Sequence, residues 1–144
     1  MKLVVDASVA LDWVFDSERT PYGQEALSHV IDAGAAVPAL WPVEVANGLL
    51  SGLRRRRITE PEMAEAVSML ASLPIEIVAT TASLATMPPL LEQGARFGLS
   101  AYDASYLLLA QREGLPLATN DARLRGAAQL AGVPILGLET AGAR

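Results

Sequence analysis

Short β-branched runs alternate with longer stretches of helical period along this chain. Lys2 to Val5 is an apolar run ended by Asp6, which predicts a buried first strand and a turn through Asp6, Ala7 and Ser8. Further brief strands are predicted at Ala36 to Leu40, Ile75 to Val78, Leu117 to Thr119 and Pro134 to Leu136. Helices are predicted from Ser8 to Phe15, from Pro21 to Ile31 with Gly34 past its end, and from Pro42 to Leu53. Thr59 and Glu62 have capping-box spacing, so another helix runs to about Leu73, where Pro74 stops it. Thr81 to Phe97 is helical in pattern but contains Pro88 and Pro89, which predicts a short helix, a break, and a helix from about Pro89 to Gly98. Ser100 to Glu113, stopped by Gly114, and Asp121 to Leu130, followed by Gly132, complete the set. Strands alternating with helices imply an α/β fold with a parallel sheet covered on both faces. No linker or internal repeat interrupts it, so residues 1–140 read as one domain and 141–144 as a loose tail.

The 144 residues are 51% hydrophobic and 19% charged, which suits an ordered globular chain that needs no staple. There is no cysteine, which removes thiol nucleophiles, zinc fingers and iron–sulfur clusters together. His29 is the only histidine, so a histidine-rich binuclear metal site is impossible, and its helix without partner motifs marks it as a structural or surface residue. The longest apolar stretch, Ala35 to Val43, contains two prolines and falls far below the roughly 18 residues of a membrane span. Asp6 follows the first apolar run too closely for a signal-peptide core, and the expected location is the cytoplasm. Eleven Lys and Arg against sixteen Asp and Glu give a net charge of −5, which argues against binding nucleic acid by bulk charge. It leaves nucleic acid open as a substrate, because bound cations offset local negative charge.

Ligands of open α/β sheets bind beyond the carboxyl ends of the strands. Asp6 follows the first strand and Asp121 the fourth, so both fall on the same sheet edge, where each also reads as a helix N-cap. Asp103 shares helical spacing with Leu107 and Ala110, which places a carboxylate at the top of a buried stripe. Glu44 lies in the first turn of its helix, where a negative side chain suits the dipole. Asn47 and Gly48 follow at the next turn, and a glycine there suits a face that another backbone or a ligand approaches closely.

Four segments, Val4 to Leu11, Glu44 to Leu49, Leu99 to Leu107 and Ala118 to Asp121, resemble in order and spacing the acidic motifs of the PIN-domain ribonucleases, especially the VapC-type toxins of bacterial toxin–antitoxin pairs. The resemblance implies a three-layer α/β/α sandwich with a five-stranded parallel sheet. It also implies RNA cleavage dependent on Mg²⁺ or Mn²⁺, with Asp6, Glu44, Asp103 and Asp121 as the catalytic and metal-binding carboxylates. Ser8 and Thr119 match accessory hydroxyl positions, Asn47 a polar position beside the glutamate, and Asn120 a position where some members carry another acid. Further implications are a homodimer and a small cognate antitoxin that lies across the site and sets a basic side chain among the acids. An oxygen-only donor set is consistent with this, since Mg²⁺ is a hard cation that takes oxygen ligands and retains several waters.

Arg54, Arg55, Arg56 and Arg57 have two readings, as cations at a helix end or as a local RNA-binding patch. Trp13, Trp41, Tyr102 and Tyr106 read as core residues at helical spacing, with stacking on bases as the alternative. A haloacid-dehalogenase-type phosphatase is disfavoured, because Asp6-Ala7-Ser8 lacks its second aspartate and Lys2 is the only lysine. The competing function is a catalytically inert PIN-like protein-interaction module, which the intact acidic set disfavours.

Overall fold

The structure, a computed structural model, describes residues 1–137; the expected tail lies outside the described residues. Strands β1 (Leu3–Val5), β2 (Ala35–Pro38), β3 (Ile75–Val78) and β4 (Leu117–Ala118) form one parallel sheet in the order β3-β2-β1-β4. Val4 is flanked by Ala36 on one side and Leu117 on the other, and every residue of β1 is fully buried. A strand buried on both faces has no use for alternating polarity, which is why Leu3-Val4-Val5 is apolar throughout.

The expected fifth strand is not formed. Pro134 to Leu136 contributes a single parallel bridge, Ile135 to Leu117, fixed by Leu117 N–H on the Pro134 carbonyl and Leu136 N–H on the Leu117 carbonyl, each at 2.9 Å. The ladder cannot lengthen because Pro134 has no N–H to donate and Gly137, at φ 82°, turns the chain away.

Among the described residues seven α-helices accompany the sheet: α1 (Ala7–Val14), α2 (Pro21–Ala33), α3 (Trp41–Arg54), α4 (Glu60–Ser72), α5 (Met87–Phe97), α6 (Ala101–Glu113) and α7 (Ala122–Leu130). Packing sorts them into two groups, α1 to α4 and α5 to α7, which right-handed crossovers place on opposite faces. The Thr59–Glu62 capping box forms with both hydrogen bonds, at 2.9 and 3.2 Å. The helix expected from about Pro89 to Gly98 forms as α5, with Pro88 and Pro89 in its first turn, where a missing N–H costs nothing, and in place of the short helix before it stand two 3₁₀ turns, Ala79–Thr81 and Leu84–Thr86.

Two glycines set how closely α1 and α3 approach. A Cβ on Gly48 would fall 2.5 Å from Leu11 Cδ1, and one on Gly52 would fall 2.5 Å from Phe15 Cε1. Leu11 and Phe15 are one turn apart along α1, as Gly48 and Gly52 are along α3, so side chains of one helix fill notches in the other. The close approach anticipated at Gly48 is made by α1 through Leu11, not by a ligand. This close seam also fixes the separation of the α1 and α3 N-termini, where Asp6 and Glu44 stand.

Candidate active site

Asp6 caps α1, accepting a hydrogen bond at Oδ1 from Val9 N–H at 3.2 Å, and is 4% exposed. Ser8 Oγ also donates to Oδ1, at 2.6 Å, while Thr119 Oγ1 donates to Oδ2. Each hydroxyl in turn accepts a backbone N–H from the loop after β4, Ser8 from Asn120 at 3.0 Å and Thr119 from Asp121 at 3.0 Å. Two hydroxyls thus stitch the ends of β1 and β4 together around one carboxylate. Burial pushes the Asp6 carboxyl up to about 6; the hydrogen bonds from Ser8, Thr119 and Val9 hold the rise back, and the charge of Asp103 adds to it.

Asp121 caps α7, with Oδ1 accepting from Arg123 and Leu124 N–H at 2.8 and 3.0 Å. Arg125, one turn on, donates to the Thr119 carbonyl at 2.6 Å with its guanidinium over the Tyr22 ring, and so anchors the end of β4. Asp103 lies in the first turn of α6 behind the Ser100 cap, above the buried Leu107 and Ala110 as its spacing predicts. Its carboxyl is raised above the usual range, first by partial burial and then by the charges of Asp121 and Glu44, against the opposing pull of Ser100 and Arg123. Glu44, in the first turn of α3, accepts a hydrogen bond at Oε1 from Tyr106 at 2.5 Å. Asn47 is exposed one turn along from Glu44.

All four acids therefore stand at helix N-termini on the carboxyl edge of the sheet, and their charges act on one another: Asp103 on Asp6, and Glu44 and Asp121 on Asp103. Such repulsion is what a cation would relieve. In kind the donors fit a hard divalent ion, being carboxylates and hydroxyls with no nitrogen or sulfur ligand. Among the described residues no three of these side chains close around a single point. Asp6 and Asp121 each spend one oxygen on a helix cap.

Two participants were not apparent in the sequence. Tyr106 is in the core, as its spacing predicts, yet its hydroxyl reaches Glu44; the signal was a phenol one turn from Asp103 on a buried face. Asp12 is 2% exposed and accepts from Thr20 N–H at 3.0 Å, Thr20 Oγ1 at 2.6 Å and Asn120 Nδ2 at 3.3 Å, which ties α2 and the β4 loop to α1. Asn120 thus directs its amide to Asp12 and Ser8.

Other candidates separate. Arg54, Arg55 and Arg56 are exposed at the far end of α3, about 15 Å along the helix from Glu44. Arg57 is engaged by Ser17 at 3.0 Å and Glu18 at 3.6 Å and lies over Phe15. Trp13 and Trp41 are core residues, whereas Tyr102 is 64% exposed beside Asp103 and does not pack as expected, because its position on α6 faces away from the sheet. His29 Nε2 lies 2.8 Å from the Met1 carbonyl, away from the acids. An apolar cavity of about 390 Å³ between α3, α4 and β3 is lined by none of the acids. Among the described residues no helix is long and apolar enough to cross a membrane.

A parallel α/β sheet with four carboxylates gathered at its carboxyl edge defines a class of acidic-site proteins. Within it, the sequence profile of the PIN domain matches residues 3–130, and the chain belongs to the PIN domain family. PIN domains are generally nucleases. The fold is similar to that in the crystal structure of PAE2754 from Pyrobaculum aerophilum, with a TM-score of 0.65 and 21% identity over 100% of this chain and 98% of that one. Among curated proteins no sequence matches.

Proposed function

We propose that this protein is an endoribonuclease dependent on Mg²⁺ or Mn²⁺ and that it serves as the toxin of a toxin–antitoxin pair. The observation that carries the nuclease reading is the convergence of Asp6, Glu44, Asp103 and Asp121 on one sheet edge, where the charges of Glu44 and Asp121 raise the proton affinity of Asp103, and that of Asp103 adds to the rise at Asp6. Capping alone gives no reason for four helix N-termini with acids to meet. Asp6, Asp103 and Asp121 are assigned to metal binding, directly or through water, and Glu44 to the metal or to the attacking water. When bound, the ion supplies a water of lowered pKa and positive charge against the phosphodiester. Ser8 and Thr119 hold Asp6 in register for that role, Asn47 offers an exposed amide one turn from Glu44, and Arg54, Arg55 and Arg56 offer charge to phosphates farther along the strand.

The toxin role rests on the resemblance of the four segments to VapC-type toxins, and it carries a homodimer and a cognate antitoxin with it. The test has two arms. Purified protein is incubated with structured cellular RNA in Mg²⁺, in Mn²⁺ and in chelator, beside Asp6→Asn and Asp103→Asn; metal-dependent cleavage lost in both variants is expected. Expression in a bacterial host is then expected to arrest growth, with relief from a small protein encoded beside this gene. A folded protein that binds metal and cuts no RNA would instead be an interaction module.

A further inference from the structure

Tyr106 is 1% exposed, and a phenol so deep in a core requires a partner for its hydroxyl. It finds Glu44 Oε1 at 2.5 Å, across 62 positions of sequence. One polar atom of α6 thereby meets α3 where Glu44 stands, on the helix that also carries Asp103.

We propose that Tyr106 is the positioning residue for Glu44, its O–H fixing Oε1 so that Oε2 is the oxygen presented to a cation or to water. The inference deepens the proposed function and rests on Glu44 belonging to the acidic site. Glu44 is half-buried in the first turn of α3 and has no other hydrogen bond among the described residues, so without the phenol its three side-chain torsions are unconstrained by any polar contact. A carboxylate already held in one rotamer loses less freedom when it takes up a ligand. Phenylalanine would fill the same space in the core, so packing accounts for the ring and leaves the hydroxyl to be explained by Glu44.

The experiment uses the full chain, with Tyr106→Phe and Glu44→Ala made singly and together. Two quantities are read: Mn²⁺ affinity, from the rise of Tm with metal concentration, and the ¹³C resonance of the Glu44 carboxyl in metal-free protein labelled at glutamate. Tyr106→Phe is expected to weaken Mn²⁺ affinity about tenfold, in the range for partners that orient metal ligands. It is also expected to shift the Glu44 resonance, and to change affinity no further once Glu44 is alanine. Unchanged affinity, an unmoved resonance, or an equal loss of affinity in the Glu44→Ala background would overturn the proposal. Should Tyr106→Phe not fold, Tyr106→Met, which also removes the hydroxyl and fills core space with a flexible apolar chain, is expected to give the same two changes. If the original protein takes up no Mn²⁺, the metal-dependent reading fails, and the resonance then decides by itself whether the phenol holds the glutamate.

Discussion

Thr119 and Asp6, 113 positions apart, share a buried hydrogen bond in which the threonine hydroxyl donates to the carboxylate while accepting the Asp121 N–H. The bond joins β1 to β4 at the point where the acids gather. Replacing Thr119 by valine keeps the shape and strips a buried carboxylate of a donor, a loss of about 1–3 kcal/mol. Urea unfolding at pH 7 is expected to show that loss, and Thr119→Ser to recover most of it. Equal stability of the valine variant would mean that Asp6 does not depend on this hydroxyl.

Stability of the metal-free protein should fall as pH rises across the Asp6 titration. The folded chain holds the Asp6 proton up to about pH 6, whereas the unfolded chain releases it near 3.8. Between these values the folded state binds more protons, so each step upward in pH favours unfolding; below 3.8 both states are protonated and the effect ends. Above pH 6 the full penalty stands, at most about 3 kcal/mol. Asp103, also raised, acts in the same direction. Asp6→Asn is therefore expected to be more stable than the original at pH 7.5 and nearly equal to it at pH 4, in chelator. Parallel pH profiles for the two proteins would contradict the buried, costly carboxylate.

Divalent metal should reverse that penalty. A ligand that binds only the folded state stabilises it by RT ln(1 + [L]/Kd), about 2.7 kcal/mol at a hundredfold excess over Kd. At fixed ionic strength, which excludes general screening, Tm of the original protein is expected to climb with Mn²⁺, and Asp6→Asn and Asp103→Asn to gain much less. A common response from all three would place the ion elsewhere.

Arg54, Arg55 and Arg56 should act on RNA without acting on the fold. Neutralising them together is expected to weaken RNA binding and flatten its dependence on salt, since fewer phosphate contacts release fewer counterions. Arg57→Gln is expected to affect stability more, because Arg57 is held by Ser17, Glu18 and Phe15. An unchanged salt slope for the triple variant would return these side chains to a helix end.

Gly52→Ala tests the seam between α1 and α3. Alanine is the better helix former by about 1 kcal/mol, yet its Cβ would meet the rigid ring of buried Phe15. A net loss of about 1–2 kcal/mol is expected, with lower nuclease activity as the helices move apart, and Phe15→Leu is expected to restore part of both. Stabilisation would show that the seam has slack.

Periodicity and punctuation located nearly every element, because this chain's strands are buried on both faces and its helices are signed by Pro, Gly and capping residues. The misreadings have local causes. Pro88 and Pro89 marked the start of α5, but the stretch before them is too short to sustain more than two 3₁₀ turns. Pro134 to Leu136 carries strand-like residues, but a proline and a left-handed glycine leave room for one bridge. The shared edge of Asp6 and Asp121 was legible because residues after parallel strands meet there, and the place of Asp103 because helical spacing set it above Leu107 and Ala110, whereas Asp12 and the Tyr106 hydroxyl were not. Their partners Thr20 and Asn120, and Glu44, come from remote segments that no local pattern links to them.

Asp6 and Asp121 each cap a helix with the same side chain that faces the acidic site. Their architectural duty asks nothing of a cation, since backbone N–H groups already partner one oxygen of each. If the proposed metal-dependent activity holds, a cell that sequesters its divalent metal would disarm the protein while leaving these helix caps in place, and returning the metal would rearm the same molecules without new synthesis.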